Sequence, residues 1–131
     1  MKSLQTYINE KLLINKEYID PTNKNNIKEK GWKNVKIEDV DKKYADVNIK
    51  TTQSFHRFYN KDGSPTNWFA WWMLLCKYGP MTKKELLGYC ELPEGSYSKT
   101  WSDMSYDNII YYDTKLRKSC PRPMSEWTVW K

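Results

Sequence analysis

Side chains able to do covalent or metal chemistry are few in this chain, and they are scattered. Among 131 residues there is a single histidine, His56, and three cysteines, Cys76, Cys90 and Cys120. A nucleophile, imidazole and carboxylate arrangement would have to be built on His56. A three-ligand zinc site would need His56 together with two of the cysteines, and none of these stands at metal-ligand spacing. Cys76 and Cys90 sit among apolar neighbours, the usual setting of a small buried hydrophobe. Cys120 lies between Lys118 and Arg122, where an exposed thiol would have a lowered pKa. Carboxylate pairs such as Glu38 and Asp39 fall in a charged, weakly apolar stretch and read as solvation. The five glycines form no phosphate-cradling loop. The expectation is a protein without catalysis, cofactor or metal.

The other chemistry available is charge. Lys and Arg outnumber Asp and Glu by 22 to 16, a net charge of +6, which keeps nucleic acid and anionic surfaces open as partners. Lys115, Arg117, Lys118 and Arg122 crowd one stretch near the C-terminus, where each can pair with a phosphate and release its condensed counterions. The competing reading of the same stretch is a solvated loop whose charges keep a hairpin from aggregating. Just upstream, Ser96, Ser98, Lys99 and Ser102 fall on the polar side of a helical pattern and form a short, hydroxyl-rich face.

The positioning elements are clearest beyond residue 64. Trp68 to Cys76 is the longest apolar run, far below the roughly 20 residues needed to cross a bilayer, so no membrane partner is expected. Ser64-Pro65 before it and Gly79-Pro80 after it read as helix start and stop. The spacing predicts a central helix over 65–78, apolar nearly all round. Thr82-Lys83-Lys84-Glu85 is a capping box that opens a second helix carrying Leu86, Leu87 and Cys90 inward. A turn at Leu92-Pro93-Glu94-Gly95 precedes a third helix from Ser96, with Tyr97, Trp101 and Met104 facing in and Ser98, Lys99, Ser102 and Ser105 facing out. Asp107-Asn108 stops it. Ile109 to Tyr112 and Glu126 to Trp130 then alternate with period two, predicting a hairpin with a long basic tip from Asp113 to Ser125.

Every tryptophan except Trp32 lies beyond residue 65, which puts the core in the C-terminal half. Trp68, Trp72, Trp101 and Trp127 are expected inside. Trp71, Tyr112 and Trp130, if exposed, would mark a dimer or partner surface. Before residue 65 the signals are thinner. Leu4, Ile8 and Leu12 make an amphipathic stripe in 1–20. Residues 21–64 read as a linker and weakly structured region, with brief alternation at Val35 to Ile37 and Val47 to Ile49 that would suit short strands.

A central helix, a capped short helix, a turn, a hydroxyl-rich helix and a two-stranded hairpin resemble a winged helix-turn-helix domain, over residues 65–131. The resemblance implies an α+β fold. It places the recognition helix on Ser96 to Ser105 and the wing on Asp113 to Ser125, with Lys115, Arg117, Lys118 and Arg122. In that family the recognition helix enters the DNA major groove and the wing touches backbone or minor groove. Here the recognition helix offers one cation, Lys99, so phosphate contact is expected more than base readout. Separately, Met1-Lys2-Ser3-Leu4-Gln5, Tyr7-Ile8 and Glu10 resemble the capsid-targeting peptide of T-even phage internal head proteins, which implies a cut between Glu10 and Lys11. An amphipathic helix docked on the core explains Leu4 and Ile8 as well.

The function expected is therefore that of a small non-enzymatic winged-helix protein of phage or mobile-element origin that binds double-stranded DNA through its backbone. The alternative is a protein-interaction module, a virion component or an effector that engages a host protein. The odd cysteine count without Cys-x-x-Cys spacing, in a chain with no signal peptide, points to free thiols in a reducing bacterial cytoplasm, with packaging in a virion as the further expectation.

Overall fold

The apolar run dictates the centre of the molecule. In the computed structural model, which describes residues 24–51, 55–91 and 94–128, it forms helix α2, Asn67–Tyr78, and residues from Phe69 through Leu75 are all buried. Its other companions are α1, Asn25–Lys30, α3, Lys83–Leu87, and α4, Glu94–Tyr106. Strands β1, Ile110–Asp113, and β2, Lys118–Pro121, form an antiparallel sheet. The fold is thus mixed α+β, with four helices among the described residues and one two-stranded sheet. Helix α2 packs on α4 and β2, and α4 packs on β1.

Aromatic rings fill the space between these elements. Trp72 lies parallel to Phe69 at 5.9 Å and edge-on to Trp127 at 4.8 Å. The Trp127 ring is in turn nearly parallel to that of Phe58 at 6.0 Å. Buried indoles must find hydrogen-bond acceptors, and both Trp72 and Trp127 donate their Nε1–H to the carbonyl of Arg122, at 2.9 and 3.1 Å. One peptide group therefore anchors two rings. Trp71 is fully buried rather than exposed, because α2 is covered on every side.

Helix α2 begins at Asn67, two residues later than the Ser64-Pro65 signal predicts. Ser64 is held instead by its turn: its amide and hydroxyl both donate to the Asp62 carboxylate, at 2.9 and 2.6 Å. Pro65 joins a bridge with Tyr59. Thr66 becomes the residue before the helix, but its hydroxyl donates to the carbonyls of Arg57 and Phe58 and does not cap. Helix α4 begins at Glu94, earlier than Ser96.

The hairpin differs more. Its second strand is Lys118–Pro121, not Glu126 to Trp130, and its tip is the short turn between Asp113 and Lys118. The Asp113 carboxylate accepts the amides of Lys115 and Leu116, at 2.9 and 3.1 Å, and Arg117 takes a left-handed φ of 54°, which closes the turn tightly. Residues 122–128, which follow Pro121, do not form the expected strand because other groups hold them. The amide of Met124 donates to the Tyr44 carbonyl and that of Ser125 to the Asp46 carboxylate, both at 2.8 Å.

These bonds also correct the linker reading of 21–64 over its described part. Residues 25–30 are helical, and Ile27 is only 2% exposed. Val35, Val40, Ile49 and Phe58 are buried in the same core as α2. In place of short strands, single 3-10 turns occur at Ile37–Asp39 and Ile49–Thr51. Each supplies one apolar side chain to the core around α2 and satisfies its own backbone locally, as Val40 does by donating to Ile37 at 3.1 Å. The expected helix and targeting segment in 1–20 and the partner role of Trp130 lie outside the described residues.

Candidate nucleic-acid interface

The sequence Thr82-Lys83-Lys84-Glu85 folds as its spacing dictates. The Thr82 hydroxyl accepts the Glu85 amide at 3.0 Å, and the Glu85 carboxylate accepts the Thr82 amide at 3.3 Å. This box fixes the first turn of α3 and aims Lys83 and Glu85 to different neighbours. Lys83 donates to the Ser98 hydroxyl of α4 at 3.2 Å. Glu85 receives Lys118 of β2 and Lys24, which precedes α1, each at 3.4 Å. Burial raises the Glu85 carboxyl, but the Thr82 amide, Lys118 and Lys24 outweigh it, so the net shift is downward. Lys24 and Lys118, from two distant parts of the chain, thus meet the first turn of α3, which itself carries Lys83.

Beside it, the outer face of α4 carries the expected hydroxyls. Ser98, Lys99 and Ser102 are placed on it by the helical spacing; Lys99 and Ser102 are exposed, Trp101 is half-buried and Met104 is buried. Ser96 falls within α4, and its side chain lies outside the described residues. Lys99 is the helix's one cation against Glu94 and Asp103, so α4 itself carries no positive excess. Its end is set by Asn108, with φ 59°.

A backbone bridge also ties the hairpin to the entry of α3. Met81, just before α3, exchanges both backbone hydrogen bonds with Ser119 of β2, at 3.0 and 3.2 Å. The four hairpin cations then part company. Lys115 and Arg117 are exposed at the tip, and neither side chain has a partner among the described residues. Lys118 reaches α3. Arg122 turns to Glu126 at 3.7 Å, and its guanidinium lies 4.8 Å above the Tyr111 ring. The long basic tip is therefore replaced by a short one with two outward cations. Lys118 joins the α3 group and Arg122 does not.

Lys83 and Lys24 also belong to the cluster, although the sequence pattern does not single them out. For Lys83 a signal exists, since the capping box puts it at the first helical position. For Lys24 there is none, because its approach to Glu85 spans 61 positions.

All three thiols are free, and burial disfavours their thiolate forms. Burial raises the pKa of Cys76 and pushes Cys90 up to about 12. Cys120 is 5% exposed and burial raises it too. The lowered value that an exposed thiol between Lys118 and Arg122 would have does not arise, because this thiol is buried and those two cations point to carboxylates. Among the described residues, no three His, Cys, Asp or Glu side chains group as a metal site would require. His56 is exposed beside Phe55. It borders a cavity of about 320 Å³ that Arg57, Asp103 and Asp107 also line. No described helix is long and apolar enough to cross a membrane. No family model, curated protein or solved structure matches the chain.

Proposed function

We propose that α2 to β2 form a winged helix-turn-helix module whose role is to bind double-stranded DNA through its phosphates, without catalysis. The observation that carries this reading is the Met81–Ser119 bridge. It makes the order of elements helix, single bridging residue, helix, helix, hairpin. It also sets β2 against the entry to α3, so that Lys83 and Lys118 belong to the same surface region as the hydroxyl face of α4. Phosphate contact needs cations and hydroxyl or amide donors, which this region has. Base readout needs Arg, Asn, Gln or similar groups on the recognition helix, and the outer face of α4 offers Ser98, Lys99 and Ser102 instead.

A second reading rests on a different observation. Tyr106, Tyr112 and Leu116 are 87%, 61% and 54% exposed, large apolar groups that a DNA backbone contact does not use and a protein partner would.

Fluorescence anisotropy with a labelled duplex across a salt series separates the two. Binding at low ionic strength should weaken linearly on log–log axes. Replacing Lys83, Lys99 and Lys118 by Gln should reduce the slope by about 0.9 for each phosphate that is no longer neutralised. No binding at low salt, or an unchanged slope, would favour the protein-interaction reading.

A further inference from the structure

A stripe at helical spacing along the end of α4, Thr100, Asp103, Met104 and Asp107, forms one wall of the cavity beside His56. The stretch that leads into α2 supplies the other wall through Arg57, Phe58 and Trp68. Its floor is apolar: Phe58, Met104 and Ile109 are buried core residues, and the Trp68 ring beside them is half-buried. Both rims are fixed by bonds within the fold. The Thr66 hydroxyl donates to the Arg57 carbonyl at 2.9 Å. The Asp107 amide donates to the Asp103 carbonyl, and the Asp107 carbonyl accepts the Thr128 amide, both at 2.9 Å. A site held in place this way loses little freedom when it is filled.

The charges on the two rims do not meet. Arg57 and Asp103 are exposed and Asp107 is half-buried, and none of the three forms an ion pair among the described residues. We infer that this cavity binds a free α-amino acid with a large apolar side chain. Its ammonium sits at Asp103 and Asp107, its carboxylate at Arg57, and its side chain on the floor beside Trp68.

The rims select this class against its competitors. A phosphate would meet two carboxylates for one guanidinium. A metal ion would share two carboxylates with Arg57, and among the described residues no three ligating side chains group together. A cation without a carboxylate would leave Arg57 unpaired in a site drained of water, and an apolar molecule would leave all three charges so. A zwitterion answers both rims, while its side chain displaces water from Phe58, Met104 and Ile109. A volume of about 320 Å³ lies at the small end for ligand pockets and suits one such molecule. The inference stands apart from DNA binding, because Lys83, Lys99 and Lys118 do not line this cavity.

Titration of the full chain with L-phenylalanine, followed through its backbone amide chemical shifts, tests it. Saturable shifts at residues around the cavity are expected, with a Kd of about 1 mM or tighter. 3-Phenylpropionate lacks the ammonium. L-Phenylalaninamide lacks the carboxylate and mimics the first residue of a peptide. Each should bind about tenfold more weakly or worse. Arg57→Gln should weaken the amino acid by about tenfold and leave the amide unchanged. Asp103→Asn with Asp107→Asn should weaken the amino acid and the amide and leave phenylpropionate unchanged. No shifts at millimolar phenylalanine, shifts away from the cavity, or an analogue that binds as tightly as the amino acid would overturn the inference. So would rim variants that weaken all three probes alike. The three probes on the parent chain keep the test decisive even if a variant fails to fold.

Discussion

Arg122 shows how one residue can serve two systems. Its carbonyl accepts the indoles of Trp72 and Trp127, while its guanidinium lies over Tyr111 and reaches Glu126. The sequence marks it as a cation for phosphate, yet its main structural work is done by the peptide oxygen. This gives Trp72 a testable role. Trp72→Ala opens a large cavity among rings that cannot collapse into it and should cost about 3–5 kcal/mol. Trp72→Phe should cost less, since the ring space is largely kept and Trp127 still donates to the Arg122 carbonyl. Urea denaturation of both variants checks this. A loss below about 1 kcal/mol for the alanine variant would contradict the buried-helix assignment.

Among the elements, α3 is short but decides how the others meet. Its capping box is legible from four consecutive residues, because the bonds it makes are local. What Glu85 does beyond the box is not, since Lys24 and Lys118 come from distant positions. The cluster makes a prediction at this scale. Glu85 has a folded pKa below its ordinary value of 4.5. Its contribution is therefore present above that value and lost as pH falls through the lower folded pKa. Glu85→Gln should lower the thermal midpoint at neutral pH, and the gap to the parent should close in acid. The effect should stay under about 1 kcal/mol, because the carboxylate is 35% exposed and screened. A gap independent of pH would show that the carboxylate's charge plays no part. The hairpin makes the opposite point. Alternation at Glu126 to Trp130 suits a strand, but Trp127 is buried by α2 and its neighbours are held by Tyr44 and Asp46, so tertiary packing overrides local pattern.

For the whole molecule, the described part of the chain before residue 65 is structural. Ile27, Val35, Val40, Ile49 and Phe58 are each no more than 7% exposed and join the core of α2. A fragment of residues 65–131 should therefore lack cooperative unfolding, since it leaves the apolar surface of α2 open to water. Ile27→Ala in the full chain should cost about 2–5 kcal/mol. Calorimetry of the fragment and the variant checks both, and a sharp transition in the fragment would show that the C-terminal half folds alone.

The sequence by itself determined the elements whose signals are local: the apolar length of α2, the capping box of α3, the outward hydroxyls and stop of α4, and the first strand of the hairpin. Periodicity, caps and turns depend on residues a few positions apart, so they can be read without the fold. Only the tertiary structure decided which strand pairs with β1, that a sparse polar stretch lays five apolar side chains on the core, and that Lys118 and Arg122 diverge. Those outcomes depend on the meeting of distant residues, where a single buried side chain or one shared carbonyl outweighs the pattern around it.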